Sequence, residues 1–120
     1  MSTVLLVEDD ALLRDAFRMV LDEAGYDVLE AETAEGAIET ARRQPPGVIF
    51  LDLGLPDRPG LDVVRTLRSE PAMADTPIFA LTGRGGTEER AACEEAGCTG
   101  YLEKPIRPTV LLQHVRRILG

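Results

Sequence analysis

The stretch GVIFLDLGLPDRPG, residues 47–60, joins a run of apolar residues to a sharply turning loop. The apolar part is typical of a strand buried on both faces, and it ends at the carboxylate of Asp52. Two glycines and two prolines then shape the loop before a helical pattern resumes. Asn or Ser would serve an ordinary turn equally well, so the stretch indicates an aspartate held still at a strand end.

Four other apolar runs resemble the first, and helical patterns separate all five along the chain. Strict alternation of strand and helix predicts a parallel sheet with right-handed crossovers and helices on both faces. The predicted strands cover Thr3–Glu8, Asp27–Ala31, Gly47–Asp52, Pro77–Thr82 and Gly100–Lys104. Among the predicted helices, the second is capped by Thr33, the third runs from about Gly60 to Arg68, the fourth starts near Thr87, and the last follows Pro108.

The character of the strands predicts their order in the sheet. Strands one, three and four are continuously apolar, which is typical of central strands, whereas strands two and five carry charges and belong at the edges. The order 2-1-3-4-5 satisfies both conditions. We therefore predict an α/β fold with three αβα layers, a five-stranded parallel sheet and five helices, in one domain spanning residues 1–120.

The composition excludes several kinds of partner. Thirteen Lys and Arg against 21 Asp and Glu give a net charge of −8, which repels phosphate backbones and argues against direct nucleic-acid binding. The sequence shows neither a long apolar run nor a signal-peptide pattern, so we expect no membrane contact and a cytoplasmic location. Cys93 and Cys98 lack framework spacing and are interpreted as small buried residues in a reducing compartment.

Polar side chains follow four of the five predicted strands. In sheets of this kind, ligands bind beyond the carboxyl ends of the strands, where the strand order reverses. Strand one ends in Glu8-Asp9-Asp10, strand three in Asp52, strand four in Thr82, and strand five in Lys104-Pro105. We therefore expect these groups to meet in one crevice.

The residue types at this crevice favour a metal and phosphoryl chemistry. Carboxylates that lie close together repel one another, and a divalent cation relieves the repulsion; ligands that are all oxygen favour Mg²⁺, while the lack of His and thiolate disfavours zinc. An aspartate carboxylate is a nucleophile toward phosphorus, which gives Asp52 a role. Mg²⁺, the Lys104 ammonium and the Thr82 hydroxyl with nearby backbone N–H groups would then neutralise the three phosphoryl oxygens.

The segments VLLVEDD, VIFLDLGLPDRPG, IFALTG and GYLEKPI together resemble the receiver domain of two-component response regulators, over essentially the whole chain. The resemblance implies the flavodoxin-like receiver fold. It also implies that Glu8 and Asp9 form the acidic pair of the metal site, with Asp9 as a direct ligand and Asp10 one place beyond the pair. Asp52 corresponds to the phosphoacceptor, and Gly54 to the residue whose carbonyl binds the metal.

The same resemblance implies a switch and its partners. Thr82 corresponds to the switch hydroxyl, Tyr101 to the rotating aromatic residue, and Lys104 to the phosphate-contacting lysine, with a cis bond to Pro105. A histidine kinase or histidine phosphotransfer protein would supply the phosphoryl group, and the face of helix four, strand five and helix five would bind a downstream protein. The protein is expected not to be an enzyme beyond catalysing its own phosphotransfer and dephosphorylation.

Two loops depart from the family pattern. After the phosphoacceptor, receivers usually have Met and Asp where this chain has Gly54 and Pro59. The small Gly54 is predicted to admit water and shorten the lifetime of an acyl phosphate. The segment Gly83-Arg84-Gly85-Gly86 is a glycine-rich approach to helix four, and Arg84 is expected near the mouth of the site, where it would tune that lifetime or the choice of partner.

Three other classes of function stay open from the residues alone. An aspartyl-phosphate phosphatase of the haloacid dehalogenase type wants a second Asp two positions past the nucleophile, where this chain has Gly54. A flavin-binding electron carrier would share the fold, but the acidic site and the lack of Trp argue against it. A receiver-like module that only binds partners is disfavoured because every key residue is present.

Several residues are assigned away from the site. His114 is interpreted as a surface or hydrogen-bonded helix residue, and Glu88, Glu89, Glu94 and Glu95 as a solvated face or a partner surface. No effector domain is visible after the last helix, so we expect either a stand-alone regulator or a receiver from a longer protein. The cognate kinase, the output and the oligomeric state are not encoded in any recognisable pattern.

Overall fold

The computed structural model describes residues 2–83 and 86–120, which form five strands and five α-helices. The strands are β1 (Thr3–Val7), β2 (Asp27–Ala31), β3 (Val48–Asp52), β4 (Ile78–Thr82) and β5 (Gly100–Glu103). The helices are α1 (Ala11–Glu23), α2 (Ala34–Arg43), α3 (Gly60–Arg68), α4 (Thr87–Ala96) and α5 (Pro108–Leu119), with a short 3₁₀ turn at Pro71–Met73. The strands pair in parallel in the order β2-β1-β3-β4-β5, which confirms the predicted fold.

Successive residues of the central strands point to opposite faces of the sheet, and each face has its own apolar core. One core lies under α2, α3 and the end of α4, and includes Leu5, Ile38, Ile49, Leu51, Val64, Leu67 and Ala96. The other lies under α1 and α5, and includes Leu6, Phe17, Leu21, Phe50, Leu81, Leu111 and Val115. Within residues 2–83 and 86–120, every helix is too short or too polar to cross a bilayer.

Burial separates the central strands from the edge strands as the sequence predicts. Every residue of β1, β3 and β4 is buried, whereas β2 and β5 are partly exposed. The rings of Phe50 and Phe79 stack across neighbouring strands, with their centroids 5.4 Å apart. The centre of the sheet is therefore rigid, and the carboxyl ends of its strands are fixed in position relative to one another.

The helices begin and end at the predicted signals. Asp10 caps α1 by accepting hydrogen bonds from the backbone N–H groups of Leu12 and Leu13, and Thr33 caps α2 through the N–H of Gly36. After α4, Gly97 adopts a left-handed conformation with φ +106°, which glycine tolerates best. Asp10, the acid one place beyond the acidic pair, is thus a helix cap.

The predicted strands were one residue too long at several ends. Glu8 and Lys104 each donate one more backbone hydrogen bond to the neighbouring strand, and then their chains turn away from the sheet. Pro77 precedes β4 because proline has no N–H to donate, although its carbonyl still accepts from the N–H of Ile49 at 2.9 Å. These ends matter because Glu8 and Lys104 leave the sheet where the functional groups collect.

Arg68, at the end of α3, ties together three connecting segments. Its guanidinium donates hydrogen bonds to the carbonyls of Gly97 (2.9 Å), Met73 (2.9 Å) and Thr76 (2.7 Å). A Cβ at Gly97 would lie 3.0 Å from the Arg68 Cγ, so the glycine also makes room for the side chain. The planar guanidinium of Arg68 thereby joins the end of α3 to the end of α4 and to the segment that leads into β4.

We expect Arg68→Lys to lower the free energy of unfolding by about 1–3 kcal/mol, because an ammonium cannot reach several carbonyls at once and leaves some of them unpaired. Denaturant unfolding followed by circular dichroism measures the change. Arg65→Lys on the same helix is the matched control, since exposed Arg65 pairs only with Asp62 at the surface among the described contacts, and should change stability by under about 0.5 kcal/mol. Equal losses in the two variants would contradict the role of Arg68.

Candidate functional site

The carboxyl ends of β1, β3, β4 and β5 bring the predicted polar groups to one edge of the sheet. Asp52 ends β3 and pairs with Leu81, one residue before Thr82 on β4. The backbone N–H of Lys104 donates to the Thr82 carbonyl at 2.7 Å, which holds the end of β5 beside the end of β4. The side chains at these strand ends therefore lie together, at the place that the strand ends predict.

The Lys104 ammonium lies between two carboxylates from other strands. Its Nζ is 2.9 Å from an oxygen of Glu8 and 3.3 Å from an oxygen of Asp52. Glu8 is 2 % exposed and Asp52 is 7 % exposed, so both carboxylates are largely removed from water. The three side chains link β1, β3 and β5 at the point where the strands end.

Burial and charge act against each other in this group. The pKa of Glu8 is raised, first because burial disfavours its charged form; its bond to Lys104 opposes that effect, and the nearby Asp52 adds to it. Partial burial by itself would lower the pKa of Lys104, but its bonds and charge interactions with Glu8 and Asp52 prevail, and the pKa is raised. Lys104 therefore keeps its positive charge in this half-buried position.

Glu8, Asp9 and Asp52 form a cluster suited to a divalent cation. One oxygen from each of the three carboxylates lies within 4.8 Å of the other two. Among the described residues, the cluster contains three carboxylates and only the Lys104 ammonium beside them, so negative charge is in excess. All the atoms of the cluster that could bind a metal are carboxylate oxygens. Asp9 is exposed and open to water, so the donor set fits Mg²⁺, which retains several of its own water ligands.

Asp52 is oriented by the loop that follows it. Its Oδ1 accepts a hydrogen bond from the N–H of Gly54 at 3.0 Å, while Oδ2 faces Lys104. Asp52 and Gly54 line one side of an open cleft of about 390 Å³, and Thr82 and Glu89 line the other. The carboxylate is thus fixed in direction with space in front of it; that the Gly54 carbonyl binds metal stays a prediction.

Asp57 anchors this loop to a helix on the neighbouring connection. Its carboxylate accepts hydrogen bonds from the N–H groups of Ala34 (2.8 Å) and Glu35 (3.1 Å), which open α2, and Arg58 pairs with the Glu35 side chain. These backbone hydrogen bonds, the one from Ala34 first, lower the pKa of Asp57. The glycines and prolines of the loop predict its rigidity, whereas this contact of Asp57 with α2 was not predicted.

Gly60 closes the same loop against the end of β3. A Cβ at Gly60 would lie 2.7 Å from the Leu53 Cα and 2.8 Å from the Asp52 carbonyl oxygen, so a larger residue would push the loop away. At the other side of the site, Arg14 donates to the Glu8 carbonyl at 2.7 Å, and its guanidinium also pairs with Glu30. The segments carrying Asp52 and Glu8 are therefore each held by a contact outside the site.

Thr82 contacts Glu89, one of the glutamates predicted to form a solvated face or a partner surface. Thr82 is 3 % exposed, and its hydroxyl donates a hydrogen bond to the Glu89 carboxylate in the first turn of α4. The available signal was positional: a helix that follows a parallel strand starts at the strand's carboxyl edge, so its first turn lies near the site. Glu88, Glu94 and Glu95 are exposed, as predicted.

Tyr101 lies beside α4, away from the acidic cluster. The Arg90 guanidinium carbon is 5.2 Å from the centroid of its ring, a cation–π distance. The pKa of the Tyr101 phenol is raised, first by partial burial and then by the negative charges of Glu89 and Glu103. Both predicted switch residues thus contact adjacent residues of the same helix.

Apart from Glu89, the residues assigned away from the site lie away from it. Cys93 is buried, burial raises the pKa of the Cys98 thiol to about 12, and both cysteines are free. His114 is half-buried on α5, with its ring 5.5 Å from that of Phe79. The Lys104–Pro105 bond is cis, as the resemblance implied, and Arg84 lies outside the described residues.

Comparison with known proteins agrees with this geometry. The sequence profile of the response regulator receiver domain matches residues 4–116. The chain belongs to this family. It is 32 % identical over 117 residues to the phosphate regulon transcriptional regulatory protein PhoB of Pseudomonas aeruginosa, covering 98 % of this chain and 51 % of PhoB. The chain thus spans about half the length of the curated relatives it matches.

Solved structures show the same receiver fold. The chemotaxis response regulator CheY4 of Vibrio cholerae superposes with a TM-score of 0.92 at 32 % identity, covering 99 % of both chains. The receiver domain of sensor histidine kinase PA1611 from Pseudomonas aeruginosa has a TM-score of 0.88 at 30 % identity, over 99 % of this chain and 98 % of that one. That structure is described with a magnesium ion coordinated in its active site cleft. The present chain is accordingly a receiver domain of the two-component response regulators, a family of signalling modules.

The anchoring role of Asp57 predicts a pH dependence of the receiver's stability. Because the folded-state pKa of Asp57 lies below its ordinary value of 3.8, its stabilising contribution is present above that pH and is lost as the pH falls through the folded-state pKa. Asp57→Asn should therefore be less stable than the wild type near neutral pH, and the difference should shrink as the pH is lowered from about 6 to about 3.

Thermal unfolding at a series of pH values measures this difference. Asp75→Asn, at an exposed aspartate of the described surface, is the control and should track the wild type throughout. A constant gap between wild type and Asp57→Asn across the acidic range would rule out the charged cap.

Proposed function

We propose that this receiver domain accepts a phosphoryl group on Asp52 from the phosphohistidine of a histidine kinase or a histidine phosphotransfer protein. The observation that carries the proposal is the environment of the Asp52 carboxylate. Asp52 is 7 % exposed, and its carboxylate is oriented by the Gly54 N–H, adjacent to the Lys104 ammonium, and open toward a cleft. A carboxylate meeting those conditions is a positioned nucleophile.

The transfer step balances with the groups present. One carboxylate oxygen of Asp52 forms a bond to phosphorus, and the bond from phosphorus to the imidazole nitrogen of the donor breaks, with its electron pair returning to that nitrogen. Lys104 holds positive charge beside the new acyl phosphate, and the Thr82 hydroxyl offers a hydrogen bond to another of its oxygens. In dephosphorylation, the oxygen of a water molecule bonds to phosphorus and the bond from phosphorus to the Asp52 oxygen breaks, which releases inorganic phosphate and restores the carboxylate.

The residues that would hold Mg²⁺ are Glu8, Asp9 and Asp52, with the Gly54 carbonyl as a further ligand. When bound, Mg²⁺ supplies positive charge that offsets the negative charge of the phosphoryl oxygens and of the carboxylates around them. The oxygen-only cluster supports this assignment, as does the magnesium ion described in the related PA1611 receiver domain. Glu8, which is bonded to Lys104 at 2.9 Å, orients the ammonium as well.

The proposed output follows from the positions of Thr82 and Tyr101. Movement of the Thr82 hydroxyl toward a phosphoryl group would vacate space into which Tyr101 turns, and the surface formed by α4, β5 and α5 would change for a downstream protein partner. We further infer that residues 1–120 act as one receiver domain in the cytoplasm. Its chemistry would be limited to its own phosphorylation and dephosphorylation, with no external substrate turned over.

Incubation with phosphoramidate and Mg²⁺ should add one phosphoryl group, about 80 Da, because the positioned Asp52 needs only a small activated donor. Intact-mass spectrometry measures the gain. The gain should disappear in Asp52→Ala and in the presence of EDTA.

Asp62→Asn is the matched control, since the partly exposed Asp62 lies on α3 and pairs with Arg58 and Arg65; it should be phosphorylated like the wild type. An unmodified wild-type protein, under conditions that modify a known receiver, would favour the alternative of a partner-binding module that works without phosphorylation.

The small residue at position 54 should shorten the life of the acyl phosphate. A Cβ at Gly54 would lie 3.6 Å from Asp52 Oδ1, an ordinary contact, so a side chain fits there without distorting the nucleophile. We expect Gly54→Met to slow dephosphorylation several-fold, by covering the cleft against water. The decay of the phosphorylated mass after removal of the donor gives the rate.

Gly54→Ala tests whether the effect follows size, and its rate should fall between those of the wild type and Gly54→Met. Indistinguishable decay rates in all three proteins would eliminate water access at this position as the determinant of lifetime.

A further inference from the structure

Helix α4 contacts both switch residues through two adjacent side chains. Glu89 accepts a hydrogen bond from the Thr82 hydroxyl, and Arg90 lies over the Tyr101 ring at 5.2 Å. These contacts join α4 to the ends of two different strands, β4 and β5. Neither was indicated by the family resemblance, and the chemistry proposed for Asp52 uses neither of them.

The hydroxyl of Thr82 has one proton to donate. While Glu89 accepts it, the same proton is not available to a phosphoryl oxygen, so the carboxylate and the phosphoryl group compete for one donor. The competition is substantial because hydrogen bonds to a charged acceptor are roughly twice as strong as those to a neutral one. Glu89 also lines the cleft that Asp52 faces, where its negative charge opposes the charge of an incoming phosphoryl group.

We propose that Glu89 is a built-in restraint of the switch: it holds the Thr82 hydroxyl away from Asp52 in the unphosphorylated domain and must release it on activation. Glu89 is a positioning residue, since it acts through Thr82. Arg90 extends the restraint to Tyr101, so that α4 retains both switch residues together. This inference rests on the proposed function, because the competitor for Thr82 is the phosphoryl group on Asp52.

A purely structural account of Glu89 makes a different prediction. A carboxylate in the first turn of a helix is stabilising because of the helix dipole, and Glu88 provides the same charge one residue earlier. If Glu89 served only the start of α4, replacing either glutamate would have the same consequence. If Glu89 restrains Thr82, only its own replacement would ease the binding of a phosphoryl group.

Beryllofluoride, which mimics the acyl phosphate, provides the test on the full chain. Its dissociation constant is measured in excess Mg²⁺ by NMR for the wild type, Glu89→Gln and Glu88→Gln. We expect Glu89→Gln to bind roughly fivefold more tightly, because a neutral amide holds the Thr82 hydroxyl less strongly. Glu88→Gln should match the wild type. In the absence of beryllofluoride, the Thr82 methyl resonance should shift in Glu89→Gln and not in Glu88→Gln.

A double-mutant cycle separates the hydrogen bond from the general effect of charge. In a Thr82→Ala background no hydroxyl is left to restrain, so Glu89→Gln should then change the affinity for beryllofluoride little. The same gain in both backgrounds, or equal affinities of wild type and Glu89→Gln, would overturn the restraint and leave the proposed function intact. A wild-type protein that binds no beryllofluoride would overturn both.

Discussion

The pairing of one ammonium with two buried carboxylates is the constraint on which the rest of this structure depends. Glu8 and Asp52 come from adjacent central strands and lie almost out of contact with water. Such charges are costly unless they are compensated, and Lys104 compensates both from the edge strand β5. The ends of these three strands are therefore joined by the same charge pairs that form the site.

The charges at this site do not balance. Asp9 adds a third carboxylate within reach of Glu8 and Asp52, and the raised pKa of Glu8 shows that burial is not fully offset by its bonds. The excess negative charge favours any small cation at this edge. A folded scaffold that places such a cluster on strand ends, where the backbone is fixed, preorganises a site for positive charge.

The sequence predicted the parts of the molecule that follow from local pattern, and missed those that depend on where loops and helix turns meet. Continuous apolar runs placed three strands at the centre, and the residues at the carboxyl ends of the strands gave Glu8, Asp52, Thr82 and Lys104. The role of Asp57 was not predicted because its partners on α2 lie more than twenty residues earlier in the chain. Glu89 escaped because a glutamate among three exposed ones has no periodicity that marks it as facing inward. In both cases, a charged residue with the sequence context of a solvent-exposed position makes a tertiary contact.

The two sides of the site differ in how firmly they are held, and this difference determines which side is easier to move. On one side, the loop after β3 is anchored by Asp57 to α2, and α2 is itself capped by Thr33. On the other side, α4 buries only Cys93 and Ala96 among its described residues. It follows Gly86, which provides no side-chain cap, and it packs on β5, a strand that is partly exposed. Segments with few buried contacts open at the lowest cost in free energy. Under the proposed function, a phosphoryl group on Asp52 would therefore lie between a firmly held loop on the α2 side and the less firmly held α4 and β5. The contacts of Thr82 and Tyr101 with α4 would then be the first to change.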